Sequence, residues 1–245
     1  MKLLILYFIL LMALPASILA QFTGGIGRGD LVIFGNGTLL NGEDGLYAGG
    51  IGRGDYALPF GPSILNADNI YVSGSTGVDG YYHSLSNSSG AFYAINSYAQ
   101  TGKTIAVSIW GTSSSETGAN SLNSGTWNTL IIYPKISGLR ISGDIGLPMI
   151  IALNGAANVT IDGRLNASGS LKDLTFPKTK LFNSSINNFI KYCAITGDLY
   201  LTGTSSVTVD GVVAVSGNVT IESGSTVTNS PTGNLTIYGN LRILP

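Results

Sequence analysis

The chain of 245 residues has one cysteine, Cys193, and one histidine, His83. A single thiol excludes an intramolecular disulfide. A single histidine excludes a histidine cluster around zinc within one chain. A Ser-His-Asp triad would have to use His83, in YYHSLS, where no nucleophile-elbow motif accompanies it. Charge is scarce: Asp, Glu, Lys and Arg make up 10% of the chain and the formal net charge is −1. That balance excludes a basic surface for nucleic acid or an electrostatic membrane surface. No G-x-x-x-x-G-K-S/T occurs, so there is no phosphate-loop fingerprint. The apolar fraction, 44%, is too high for a disordered chain. Stability must come from backbone ladders and packing.

The first residues are MKLLILYFILLMALPASILAQF. A short basic start at Lys2, an apolar run from Leu3 to Leu14, a break at Pro15 and a small residue at Ala20 read as a secretory signal peptide over 1–20. The run is shorter than the roughly 20 residues that span a bilayer. The expectation is an exported protein, secreted or at the cell surface, with no membrane span once the signal is removed.

The rest is rich in Gly, Ser, Thr and Asn, with short β-branched runs between them: TIAVSIW (104–110), TLIIY (129–133), NVTIDG (158–163) and SVTVDG (206–211). Such runs bounded by turn residues predict short strands. One stretch differs. In SSGAFYAINSYAQTGK (88–103), Phe92, Ile95 and Ala99 share a helical face, Ser88 or Ser89 can cap the start and Gly102 can end it.

Two echoes organise the chain. GGIGRGD occurs at 24–30 and again at 49–55, and YVSGSTGVDG (71–80) is a weak third copy without the Arg, a unit of about 25 residues. Further on, LRISG (139–143), VTIDG (159–163), CAITG (193–197), VTVDG (207–211), VTIES (219–223) and LTIYG (235–239) repeat an apolar-x-apolar pattern, most ending in Gly. Alternation puts two apolar residues on one face, and Gly makes the corner. The expectation is an all-β chain, a parallel β-helix or solenoid with one short capping helix. LRISG and VTIDG, 20 residues apart, suggest one coil, with Asp144 beside Arg164 and Cys193 at the inward position of Leu139, Val159 and Val207. Later spacings look too short for coils and suggest hairpins or a narrower stack. The expected division is a signal peptide (1–20), Gly-rich β-repeats (21–69), a β-helix (70–203) and short-period β-repeats (204–245).

Together, the GGIGRGD repeats, YVSGSTGVDG, GAFYAINSYAQTGKTIAVSIWG, LNGAANVTIDGRLNASGS and NNFIKYCAITG resemble exported bacterial surface proteins with a right-handed parallel β-helix of the pectin-lyase-like shape. Such proteins often end in a type IX secretion sorting domain. The resemblance spans about residues 22 to 230 and implies the fold far more than a function. No sorting domain follows NLRILP, an expectation of a truncated chain or a short paralogue, which leaves surface attachment open.

The ligand candidates are Arg28, Asp30, Arg53 and Asp55 in the Arg-Gly-Asp tripeptides, and Arg140, Asp144, Asp162 and Arg164 in the second half, with Lys172 and Asp173 nearby. The tripeptides read better as turns, with Gly supplying positive φ and Arg and Asp as a solvated flank. The second group is the nearest approach to the grouped carboxylates of a polysaccharide lyase or hydrolase, yet reads better as a solvated ladder outside the coils. No catalytic, cofactor or metal residues are assigned. The expected function is a non-catalytic structural or adhesin-like solenoid contacting extracellular polysaccharide or matrix. The alternatives are a lyase or glycoside hydrolase on the same scaffold and an inert fragment of a larger surface protein.

Overall fold

The computed structural model describes residues 32–34, 38–40, 69–111, 116–143 and 149–245. The signal peptide, both Arg-Gly-Asp tripeptides and Asp144 lie outside them. Two units separate, 1–59 and 60–245. In the first, β1 (Val32–Phe34) and β2 (Thr38–Leu40) pair antiparallel, Val32 opposite Leu40.

The second unit is mostly strands in parallel sheets. The chain visits three sheets in turn and returns to each one strand further along. The first sheet holds β3 (Ile70–Ser73), β4 (Gly80–Tyr82), β5 (Thr104–Ile109), β7 (Thr129–Pro134), β10 (Val159–Asp162), β13 (Asn188–Lys191), β16 (Ser206–Asp210) and β19 (Thr226–Asn229). The second holds β8 (Leu139–Arg140), β11 (Leu174–Phe176), β14 (Cys193–Ile195), β17 (Val212–Val215) and β20 (Asn234–Ile237). The third holds β6 (Leu122–Asn123), β9 (Ile151–Asn154), β12 (Thr179–Phe182), β15 (Leu199–Leu201), β18 (Val219–Ile221) and β21 (Leu241–Ile243). Only β3 and β4 break the parallel order: β4 pairs antiparallel with β3, and β3 with β5.

Alternation builds the core. In β16, Val207 and Val209 point inward while Thr208 and Asp210 point out. Stacking repeats this, so Leu130, Val159 and Val207, with Leu139, Leu174 and Cys193, line one continuous apolar interior. Burial of that surface is the main stabilising term. Polar side chains hold the corners in rows: Asn154 and Asn183 amides donate to Asn123 and Asn154 at 2.9 and 2.7 Å, and the Ser185 and Ser205 amide nitrogens donate to Ser205 and Ser225 hydroxyls at 3.2 and 3.1 Å. Gly211 turns the corner after β16 at φ +64°, and an added Cβ would lie 2.2 Å from the Tyr192 ring. Glycine relieves both constraints.

Helix α1 (Ala91–Asn96) buries Ala91, Phe92 and Ile95. It is shorter than its pattern suggests. Gly90 stands at its N-cap without a side-chain cap bond, so neither Ser88 nor Ser89 has that role, and Ala99 is exposed.

Two expectations about register are corrected. LRISG and VTIDG do not stack: Leu139 pairs with Leu174 in the second sheet, whereas Val159 pairs with Leu130 in the first. Cys193 does share a row with Leu139, through Leu174, but not with Val159 or Val207. The short C-terminal spacings are steps from sheet to sheet. Beyond Thr204 every strand pairs in parallel, Val207 with Val227, Val212 with Asn234 and Val219 with Leu241, with partners about 20 residues apart and without hairpins.

Candidate functional site

The outer face of the first sheet carries the densest functional chemistry among the described residues. Side chains on a strand alternate between faces. On β5 and β7 the inward set is Ile105, Val107, Ile109, Leu130 and Ile132, which leaves Ser108, Trp110, Tyr133 and Lys135 outward. Register then sets one row across the strands: Tyr81 opposite Tyr71, Tyr71 opposite Ser108, and Ser108 opposite Tyr133. The Tyr71 and Tyr81 rings are 4.6 Å apart between centroids, tilted by 41°. The Trp110 indole N–H donates to the Ser108 hydroxyl at 3.1 Å, so the edge of the indole reaches back to this row. The Lys135 ammonium stands 5.6 Å from the Trp110 ring centre and 5.4 Å from that of Tyr133, within cation–π range. Tyr81 is 52% exposed, and Tyr71, Trp110 and Tyr133 are half-buried.

The row continues in polar form. Ile132 pairs with Ile161, so the next residues along these strands are Tyr133 and Asp162. Asp162 pairs with Lys191, and Lys191 with Asp210. Arg164 grips Asp162 in bidentate fashion, Nε to Oδ1 at 2.8 Å and Nη2 to Oδ2 at 2.5 Å, and its guanidinium lies 5.0 Å from the Tyr192 ring centre. The Asp162 hydrogen bonds and its negative charge raise the Arg164 pKa above its ordinary value, against the opposing effect of burial. Lys191 Nζ is 3.0 Å from Asp210, which also accepts from the hydroxyls of Ser230 at 2.7 Å and Thr232 at 2.5 Å. Those two hydroxyl bonds, Thr232 first, and then Lys191 hold the Asp210 carboxyl well below the usual carboxylate range.

Of the second group of ligand candidates, Asp162 and Arg164 meet. Asp162 is only 2% exposed, so a solvated ladder is not what stands here. A carboxylate under a guanidinium and beside an aromatic row is shielded even on an outer face. Arg140 is elsewhere, exposed on the second sheet opposite Thr175. Lys172 is exposed, and Asp173 is buried, accepting from the Ser137 hydroxyl and the Gly138 amide at a turn. The five described members of the constellation therefore do not converge. No group of three or more His, Cys, Asp or Glu that could hold a metal occurs among the described residues, nor is any helix there long and apolar enough to cross a membrane.

Sequence reasoning passed over Tyr71, Tyr81, Trp110 and Tyr133. Their outward placement follows from alternation, but their adjacency depends on an antiparallel start to a parallel sheet. It also passed over Glu116, fully buried, whose carboxylate accepts from the Leu85 amide at 2.8 Å and the Ser86 amide at 2.7 Å. Comparison with protein-family models, curated proteins and solved structures finds no match to this chain.

Proposed function

We propose that the protein is an exported, non-catalytic structural or adhesin-like solenoid that contacts extracellular polysaccharide or matrix through the outer face of its first sheet. Three sheets visited in turn by parallel strands support a parallel β-helix of the kind the sequence resembles. The strong preference for right-handed crossovers between parallel strands favours a right-handed coil.

One observation carries the reading: the row Tyr81, Tyr71, Trp110 and Tyr133 on a rigid sheet, flowing into Asp162, Lys191 and Asp210. Tyrosine and tryptophan combine a large apolar face with a polar tip, the composition of contact surfaces that meet hydroxylated partners. A lyase or hydrolase needs carboxylates free to move protons at a substrate. Here Asp162, Asp173 and Asp210 are each held by side chains of the fold.

The full chain, expressed in a bacterial host, is expected outside the cytoplasm with about its first 20 residues removed. The purified protein is expected to adsorb to polysaccharide matrix without releasing reducing or unsaturated ends. Retention in the cytoplasm, or end release that Asp162→Asn abolishes, would contradict the proposal.

A further inference from the structure

We infer that the occupant of the aromatic row is an uncharged glycan chain, laid across the strands so that successive sugars meet successive rings. This rests on the contact reading above and specifies its ligand class.

Two features select the class. First, the aromatic residues follow one another from strand to strand, with neighbouring strands roughly 4.8 Å apart, and on β5, where the row has Ser108, the Trp110 indole reaches back to the Ser108 hydroxyl. A glycan running perpendicular to the strands passes Tyr81, Tyr71, Trp110 and Tyr133 in order. The negative faces of aromatic rings attract the weakly positive C–H faces of a pyranose, as they attract ring edges. The Ser73 hydroxyl, the next outward position after Tyr71 on β3, supplies a neutral hydrogen-bonding group beside the row.

Second, the two ion pairs that continue the row are internally matched. Arg164 is bound to Asp162, Lys191 is bound to Asp210, and Lys135 stands over Trp110 and Tyr133. A uronate or sulfate would have to draw a cation out of one of these contacts, leaving Asp162 buried without its partner or stripping the rings of theirs. An uncharged sugar chain disturbs none of them. A single nucleic-acid strand could stack its bases on the same rings, but its backbone would need a basic groove, and this face has none among the described residues.

The test is retention of the full chain on insoluble neutral glycans, cellulose and chitin, beside the acidic polygalacturonate and alginate, with affinity electrophoresis in their soluble counterparts. The expected result is retention on at least one neutral glycan, little changed between 0.05 and 0.5 M salt. Tyr81→Ser, at the exposed end of the row, should weaken it at least about 5-fold, and Tyr133→Ala at least about 10-fold, with thermal melting showing that both variants fold. Tyr238→Ala, just after β20 and away from the row, should have no effect. Retention on acidic polymers alone, lost with Lys135→Gln or salt, overturns the uncharged ligand and leaves the contact surface standing. Neutral retention that survives both Tyr81→Ser and Tyr133→Ala overturns the placement on this row. Failure to bind any polysaccharide overturns the inference and the contact reading with it.

Discussion

Glu116 Oε2 accepts two hydrogen bonds from Ser86, 30 residues earlier in the chain, from its amide at 2.7 Å and its hydroxyl at 2.6 Å. The other oxygen takes the Leu85 amide at 2.8 Å, and the Glu116 backbone amide donates to Ser142. One buried carboxylate thus ties the segment before α1 to the start of the stack.

Glu116→Ala should therefore leave the Leu85 and Ser86 amides buried without acceptors. Each unsatisfied buried donor costs about 1–3 kcal/mol, so a loss of at least that size is expected in chemical denaturation. Ser86→Ala, which removes only one donor, should cost less. A Glu116→Ala variant as stable as the parent would show that water or another group replaces the carboxylate.

The Arg164–Asp162 contact predicts an asymmetric mutant cycle. Arg164→Ala strips a carboxylate that is 2% exposed of its two-pronged partner, a loss of about 1.5–3 kcal/mol for hydrogen bonds to a charged group. Arg164→Ala with Asp162→Ala should cost less than Arg164→Ala alone, because no charge is left stranded. Additive losses in equilibrium unfolding would remove the coupling.

Cys193 is fully buried in the row of Leu139 and Leu174, with its thiol 3.0 Å from the Lys191 carbonyl. Burial first, and then the Asp162 charge, push its pKa well above the ordinary 9.0. The native thiol should resist a bulky maleimide and react only in denaturant. The linkage sign is fixed: the unfolded thiol ionises near 9.0 while the folded one stays protonated, so its contribution is intact below that pH and is lost above it. Cys193→Ala should lower stability at pH 7 and flatten its decline between about pH 9 and 11. Rapid native labelling would place Cys193 outside the core.

Much of this fold was legible because alternation is local. TIAVSIW, TLIIY, NVTIDG and SVTVDG each coincide with an observed strand to within a residue or two, and Phe92 and Ile95 lie on a buried helical face. What alternation leaves open is the sheet to which a strand belongs. LRISG and VTIDG look alike because every corner of a coil needs an inward apolar pair followed by a turn, and each coil has more than one corner. Their 20-residue spacing matched a coil length by coincidence, while the real partner of Leu139 is Leu174. The aromatic row stayed hidden for a related reason: Tyr71 and Tyr81 come from an antiparallel pair, and Trp110 enters by a side-chain hydrogen bond. Arg164 and Asp162 were both candidates, but their pairing was missed, because the 20-residue alignment set Asp144 beside Arg164 where the contact across one corner is with Asp162.

Asp210 gives an acid-side prediction. Its pKa is depressed by Thr232, Ser230 and Lys191, so its contribution to stability is present above the ordinary 3.8 and is lost as pH falls below it. Asp210→Asn should be less stable than the parent at pH 7, with a smaller further loss between pH 4 and pH 2, read from melting temperature against pH. Identical slopes would mean that Asp210 is not held by these partners.

The central claim, a sugar-contacting surface on the first sheet, is tested most directly at Trp110. The chain has two tryptophans, and Trp127 is buried, donating its indole N–H to the Ala157 carbonyl. In a Trp127→Phe background the emission reports Trp110 alone. Titration with neutral gluco- and chito-oligosaccharides should give a saturable blue shift that grows with chain length up to about four sugars, one for each ring of the row, and that Tyr133→Ala abolishes. A Trp110 spectrum unchanged by every neutral oligosaccharide, in a protein that still binds the parent polymer, would contradict the account.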